Sequence, residues 1–179
     1  MKKSKSLFAC FTDVRAIVAM ALFIALSVLI GKLPAFNPTP TIRFSIENLP
    51  IFVAAATYGP IAGATVGLLA DVIGCFFAGY TIFPIITLGA VSIGLIAGIF
   101  SQINCNKYLK SIITVVPAHI VGSVIIKTIG LYRYYGFPFW LNLIYRAGAY
   151  TIISIVEITI LQILYSQKII QRFGGLRRK

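Results

Sequence analysis

Several of the cations in this sequence lie where an apolar segment should exclude them. Lys127 and Arg146 fall inside runs of Ile, Leu, Val and Tyr, and Arg43 and Arg133 stand near the ends of such runs. A charge inside a lipid-embedded helix is costly, so it normally faces a cavity or a partner. Lys127 has two readings: a stem that snorkels its ammonium to the interface, or a ligand contact. Arg146 reads as functional, because it follows the aromatic loop and stands about one turn inside its helix, and an arginine can hold a carboxylate through two parallel bonds that a lysine cannot make. Together Arg43, Lys127, Arg133 and Arg146 suit an anionic ligand.

The acids are Asp13, Glu47, Asp71 and Glu157. Asp71 reads as an internal partner for Lys127 or Arg146, or else as a proton- or cation-coupling acid, with Glu157 as a second. The single histidine, His119, is expected to be satisfied by a neighbouring helix. Dense aromatic clusters, Phe76 to Phe83 and Tyr132 to Trp140, stand beside the cations. They read as an interfacial belt or as faces for a flat conjugated ligand with a charged tail, with Tyr80, Phe83 and Tyr132 as candidate contacts.

The elements that must position these residues are membrane helices. The chain has 179 residues, 59% hydrophobic and 11% charged, with mean hydropathy +0.94. Roughly 20 apolar residues cross a hydrocarbon core about 30 Å thick. The length therefore accommodates about six spans with short loops. The expected helices are Val14 to Gly31, Ile46 to Tyr58, Ile61 to Phe77, Pro84 to about Ser101, Ser111 to Leu131 and Trp140 to Gln167. Pro34, Pro38 and Pro40 make the first loop, Lys32 to Ser45, extended or irregular. Tyr132 to Phe139 is expected to be a loop. The fold class is thus an all-α integral membrane protein, a single domain of six transmembrane helices.

Of the 16 Lys and Arg, eleven lie on the side of the two termini and five, Lys32, Arg43, Lys127, Arg133 and Arg146, on the other. By the positive-inside rule both termini are cytoplasmic. The net charge of +12 therefore reflects topology and leaves no folded basic surface for nucleic acid. Cys10, Cys75 and Cys105 form no CxxC pair and read as apolar filler, so neither a metal nor another cofactor is expected. No secretory signal pattern precedes a polar chain. Enzyme signatures, including a P-loop, are missing, so coupling to ATP requires another chain. Gly59, Gly63 and Gly67, with Ala90, Gly94 and Gly98, mark two helices for close mutual approach. Ala21 and Ala25 give helix one a small-residue ridge.

The stretch Arg43-Phe44-Ser45-Ile46-Glu47-Asn48-Leu49-Pro50-Ile51, then Tyr58-Gly59-Pro60-Ile61-Ala62-Gly63-Ala64, then Ala70-Asp71-Val72-Ile73-Gly74, resembles the substrate-binding S components of energy-coupling-factor vitamin transporters. It is most similar to their folate-type branch. Ala118-His119-Ile120-Val121-Gly122-Ser123, Lys127, Gly130-Leu131-Tyr132 and Arg146 continue the likeness. Thr81 to Thr87 departs from the branch's pattern in lacking glycine.

The resemblance implies a subunit that binds one vitamin at the outer face of a prokaryotic cell membrane. It implies docking through Ala21 and Ala25 onto a transmembrane coupling subunit driven by two cytoplasmic ATPases. It also implies a lid at Leu33 to Ile42 and a pocket contribution from Tyr80 to Thr87. Folate, with a flat pteridine and two carboxylates, fits the cations and aromatics. Riboflavin or a related anionic aromatic vitamin fits nearly as well. The competing classes are a stand-alone ion-coupled secondary transporter, using Asp71 and Glu157, and a structural membrane subunit without a ligand.

Overall fold

The computed structural model describes residues 11–32, 36–39, 42–167 and 170, and the side chains of 33–44 lie outside that description. Helix α1 spans Val14–Lys32. A short antiparallel hairpin follows, β1 Phe36–Thr39 and β2 Ile42–Phe44, with Phe36 opposite Phe44. The proline-rich loop expected to be extended or irregular pairs into this hairpin, and the rest of the described fold is helical, as expected. The remaining helices are α2 Leu49–Tyr58, α3 Pro60–Ala78, α4 Pro84–Phe100, α5 Lys107–Tyr135 and α6 Phe139–Ser166.

The six apolar helices expected are present, but they are unequal. Val14–Lys32, Pro60–Ala78, Lys107–Tyr135 and Phe139–Ser166 are long and apolar enough to cross a membrane. The other two, Leu49–Tyr58 and Pro84–Phe100, are shorter, at 10 and 17 residues. Helix α2 ends where Gly59 takes φ 98°, a conformation that disfavours a Cβ, and Pro60 opens α3 in the same step. Helix α5 runs past its expected end. Nothing in Tyr132 to Tyr135 breaks a helix, so the connection shrinks to Gly136-Phe137-Pro138.

Helices α3 and α4 meet backbone to backbone. A Cβ on Gly63 would lie 2.6 Å from both the Gly94 carbonyl oxygen and the Ala55 Cβ. The expected glycine seam is therefore internal packing, with α2 closing its other side. Phe52, Val66, Ile93, Val115 and Leu161 fill the core without exposure.

Helix α1 contributes little to that core. It buries Ala16, Met20 and Ser27 while exposing Val14, Ile17, Val18, Leu22, Leu26 and Leu29. Ala21 and Ala25 are exposed on the same helix.

The middle of α5 departs from α geometry. Pro117 lacks the N–H that would bond one turn back, and His119–Ile126 is π-helical. α-Helix resumes at Lys127.

Candidate functional site

A cavity of about 440 Å³ opens at the end of the bundle where α1 and α3 finish and α6 begins. That volume lies in the range of small-molecule sites, about 300–1,000 Å³. Helix α1 supplies Ser27, Gly31 and Lys32, and the segment leading into α2 supplies Glu47 and Asn48. From α3 come Asp71, Gly74 and Cys75, followed by Tyr80 after the helix end. Helix α5 supplies Lys127 and Leu131, and α6 supplies Arg146 and Tyr150.

Two of the three lining cations are buried, Lys127 at 9% and Arg146 at 5% exposure, while Lys32 is exposed. The stem of Lys127 crosses α4 at Gly89, where an added Cβ would meet Lys127 Cγ at 2.7 Å. The absent side chain at Gly89 thus gives the lysine its channel to the cavity. Arg146 Nε and Nη2 donate to the Ser123 carbonyl oxygen at 2.9 and 2.7 Å, and the guanidinium lies 5.2 Å from the Tyr150 ring centre.

The acids are positioned as carefully. Asp71 Oδ2 accepts a 2.8 Å bond from the Thr87 hydroxyl, and among the described residues no ion pair joins it to Lys127 or Arg146, the alternative partners expected for it. The backbone of Glu47 is fixed at both polar groups. Its carbonyl accepts from Ser27 Oγ at 2.6 Å, and its N–H donates to Ser45 Oγ at 3.3 Å. Its carboxylate lies against Gly31, where a Cβ would approach Oε2 to 2.9 Å.

His119 is satisfied by a neighbouring helix, as expected: its Nε2 pairs with Glu157 of α6 in the buried interior. Glu157 is outside the cavity lining. Among the described residues, no cluster of His, Cys, Asp and Glu is arranged to hold a metal ion.

The sequence-derived candidates separate into groups. Tyr80, Lys127 and Arg146 line the cavity. Thr87 is buried behind it, bonded to Asp71. Phe83 stacks on Tyr134 at 4.3 Å and meets Tyr135 edge-on. Tyr132 packs edge-on against Phe139, and Arg133 is exposed. The backbone of Arg43 lies in β2, and its side chain is outside the described residues.

Sequence reasoning did not assign Ser27, Glu47, Asn48 or Tyr150 to the site. Glu47 and Asn48 carried a signal, since they sit within the segment Arg43 to Ile51 that bears the family likeness. Tyr150 carried one too, one helical turn beyond Arg146 on the same face.

Residues 15–170 match the family described as ECF transporter, substrate-specific component. The fold is similar to the crystal structure of FolT bound with folic acid, with TM-score 0.74 and 21% identity, covering 87% of this chain and 95% of that one. It is also similar to the S-component for biotin from an ECF-type ABC transporter, with TM-score 0.65 and 16% identity, covering 84% and 90% of the two chains. No curated protein matches the sequence.

Proposed function

The chain belongs to the family of ECF transporter substrate-specific components, and from that premise we propose that it is the high-affinity folate-binding subunit of an ATP-driven vitamin importer. The observation that carries this reading is the mixed charge of the cavity. Lys127 and Arg146 stand on α5 and α6, while Asp71 and Glu47 stand on α3 and the entry to α2. A ligand that satisfies all four carries anions at one end and N–H donors at the other. Folate does so, with glutamyl carboxylates at one end and an amino-pteridine at the other.

In this reading Arg146 grips a carboxylate through its fork and Lys127 adds a second positive charge. Asp71, oriented by Thr87, and Glu47 accept from the heterocycle. The Tyr80 and Tyr150 rings flank the flat system. Arg43 is carried toward the site by the hairpin, whose β2 strand packs on α6. Phe83, Tyr132 and Arg133 form the rim.

Transport needs partners. The exposed ridge of Ala21 and Ala25 on α1 is the docking face for a transmembrane coupling subunit, which two cytoplasmic ATPases drive. Close approach of small residues suits a helix–helix contact within lipid. In this reading the bundle is a six-helix membrane domain in which the four long helices cross the bilayer and the shorter α2 and α4 are embedded beside them, with both termini in the cytoplasm. The excess of Lys and Arg on the terminal side orients them.

The test is thermal shift of purified protein against folate, biotin and riboflavin, because a ligand that binds the folded state raises its stability. Folate should give the largest shift. A larger shift with either of the others reassigns the vitamin. Ala21→Leu with Ala25→Leu should leave binding intact and stop uptake in cells that supply the coupling module. Normal uptake removes α1 from the docking face.

A further inference from the structure

Arg146 is held from behind by a chain of buried groups that leads away from the cavity. Two of its nitrogens bond the Ser123 carbonyl. The Ser123 hydroxyl lies 2.9 Å from His119 Nδ1, and His119 Nε2 pairs with Glu157. Ser123, His119 and Glu157 are 0%, 2% and 0% exposed. The Tyr150 ring lies against two members of the chain, 5.2 Å from the Arg146 guanidinium and 5.0 Å from the His119 ring.

We propose that His119 and Glu157, acting through Ser123, are positioning residues of the ligand site, holding the Ser123 carbonyl where it aims the Arg146 guanidinium at a ligand carboxylate. The proposal rests on the reading of Arg146 as a ligand contact.

The backbone geometry gives the physical reason. Ser123 lies in the π-helical stretch His119–Ile126, whose bonds run i to i+5. Such stretches are rare and depend on local support. His119 and Ser123 stand four residues apart within it, and their mutual bond staples that turn. Glu157 then ties the staple to α6. Arg146 and Glu157 lie on one face of α6, about three turns apart. Helix α6 therefore clamps the π-helical turn at two points, one of which is the ligand-binding arginine.

Fold stability alone does not account for the pair. Among the described residues, Glu157 Oε1 is buried without a hydrogen-bond partner. Buried ion pairs are often replaceable by apolar residues without loss of stability.

The test is a double-mutant cycle on the purified full-length chain, reading folate affinity by calorimetry and folding by thermal melting. Glu157→Leu should weaken folate binding about tenfold, the size of loss typical when a supporting shell is removed. Glu157→Gln keeps an acceptor for His119 and should recover most of the affinity. In an Arg146→Lys background, Glu157→Leu should cost nothing further. A folate analogue with both glutamyl carboxylates amidated should bind wild type and Glu157→Leu alike.

Wild-type folate affinity in a folded Glu157→Leu protein overturns the proposal. So do losses additive with Arg146→Lys, and so does an equal loss for folate and its amide. If Glu157→Leu does not fold, His119→Gln and Ser123→Ala carry the same cycle at the other links. Arg146→Lys with unchanged affinity overturns the Arg146 reading itself, and the positioning proposal with it. Wild-type protein that binds no folate overturns only the vitamin assignment, and the cycle is then read with biotin, whose carboxylate makes the same demand on Arg146.

Discussion

Two seams hold this bundle, and they work by opposite chemistry. Helices α3 and α4 meet through glycines at Gly63 and Gly94, backbone against backbone, and the Thr87–Asp71 hydrogen bond joins them only at the cavity end. Helices α5 and α6 meet through buried polar groups, with Arg146 on Ser123 and His119 on Glu157. Lipid supplies no hydrophobic drive between helices, so each seam needs its own source of attraction: close dispersion contact in one, hydrogen bonds in the other. The glycine seam tolerates no added volume. The polar seam carries side chains that can also meet a ligand, and the cavity lies along it.

The comparison can be broken first at the glycine seam. Gly63→Leu should prevent folding, because a Cβ alone already meets Ala55 and Gly94. Gly63→Ala should cost about 1–3 kcal/mol by overpacking. Thermal melting in detergent reads both, and a near-normal Gly63→Leu melt would show that α3 and α4 separate easily.

Arg146→Ala comes next. It should weaken folate binding by more than about tenfold, or about 1.4 kcal/mol, with a much smaller change in melting temperature. Equal losses of binding and stability would mean that the polar seam is structural in the same sense as the glycine seam.

Asp71→Asn and Glu47→Gln should weaken folate binding several-fold and spare N-benzoylglutamate, which keeps both glutamyl carboxylates and has no pteridine to present to them. Calorimetry with both ligands reads the ratio, and a loss common to both would remove the carboxylates from heterocycle recognition.

The smallest effect belongs to Phe83→Ala. Phe83 spends its faces on Tyr134 and Tyr135, so its loss should cost about 0.5–1.5 kcal/mol of stability per pair and change affinity by less than about twofold. A large affinity loss would bring the aromatic cluster back into the site.

Much of this was legible from residue order. Alternation of long apolar runs with Gly, Pro and charge located the six helices to within a few residues. The four-residue spacing of Gly59, Gly63 and Gly67 marked a close helix contact, because small residues at that interval share one helix face. Lys127 and Arg146 stood out because a charge inside a span needs a reason, and both line the cavity. The aromatic clusters were legible only in part, since composition cannot say whether rings face a cavity or each other, and Tyr80 lines the cavity. Phe83, Tyr134 and Tyr135 face each other.

By itself, then, the sequence determined the membrane setting, the helix order and the two inward cations, because hydropathy, helix breakers and charge act over one or two turns of chain. Tertiary structure alone decided what faces those cations. Ser27 reaches Glu47 across 20 positions, Thr87 reaches Asp71 across 16, and His119 finds Glu157 across 38. Such pairs depend on how helices cross and on where α5 widens into a π-helical turn. Those features follow from the packing of the whole bundle and leave no period in the sequence.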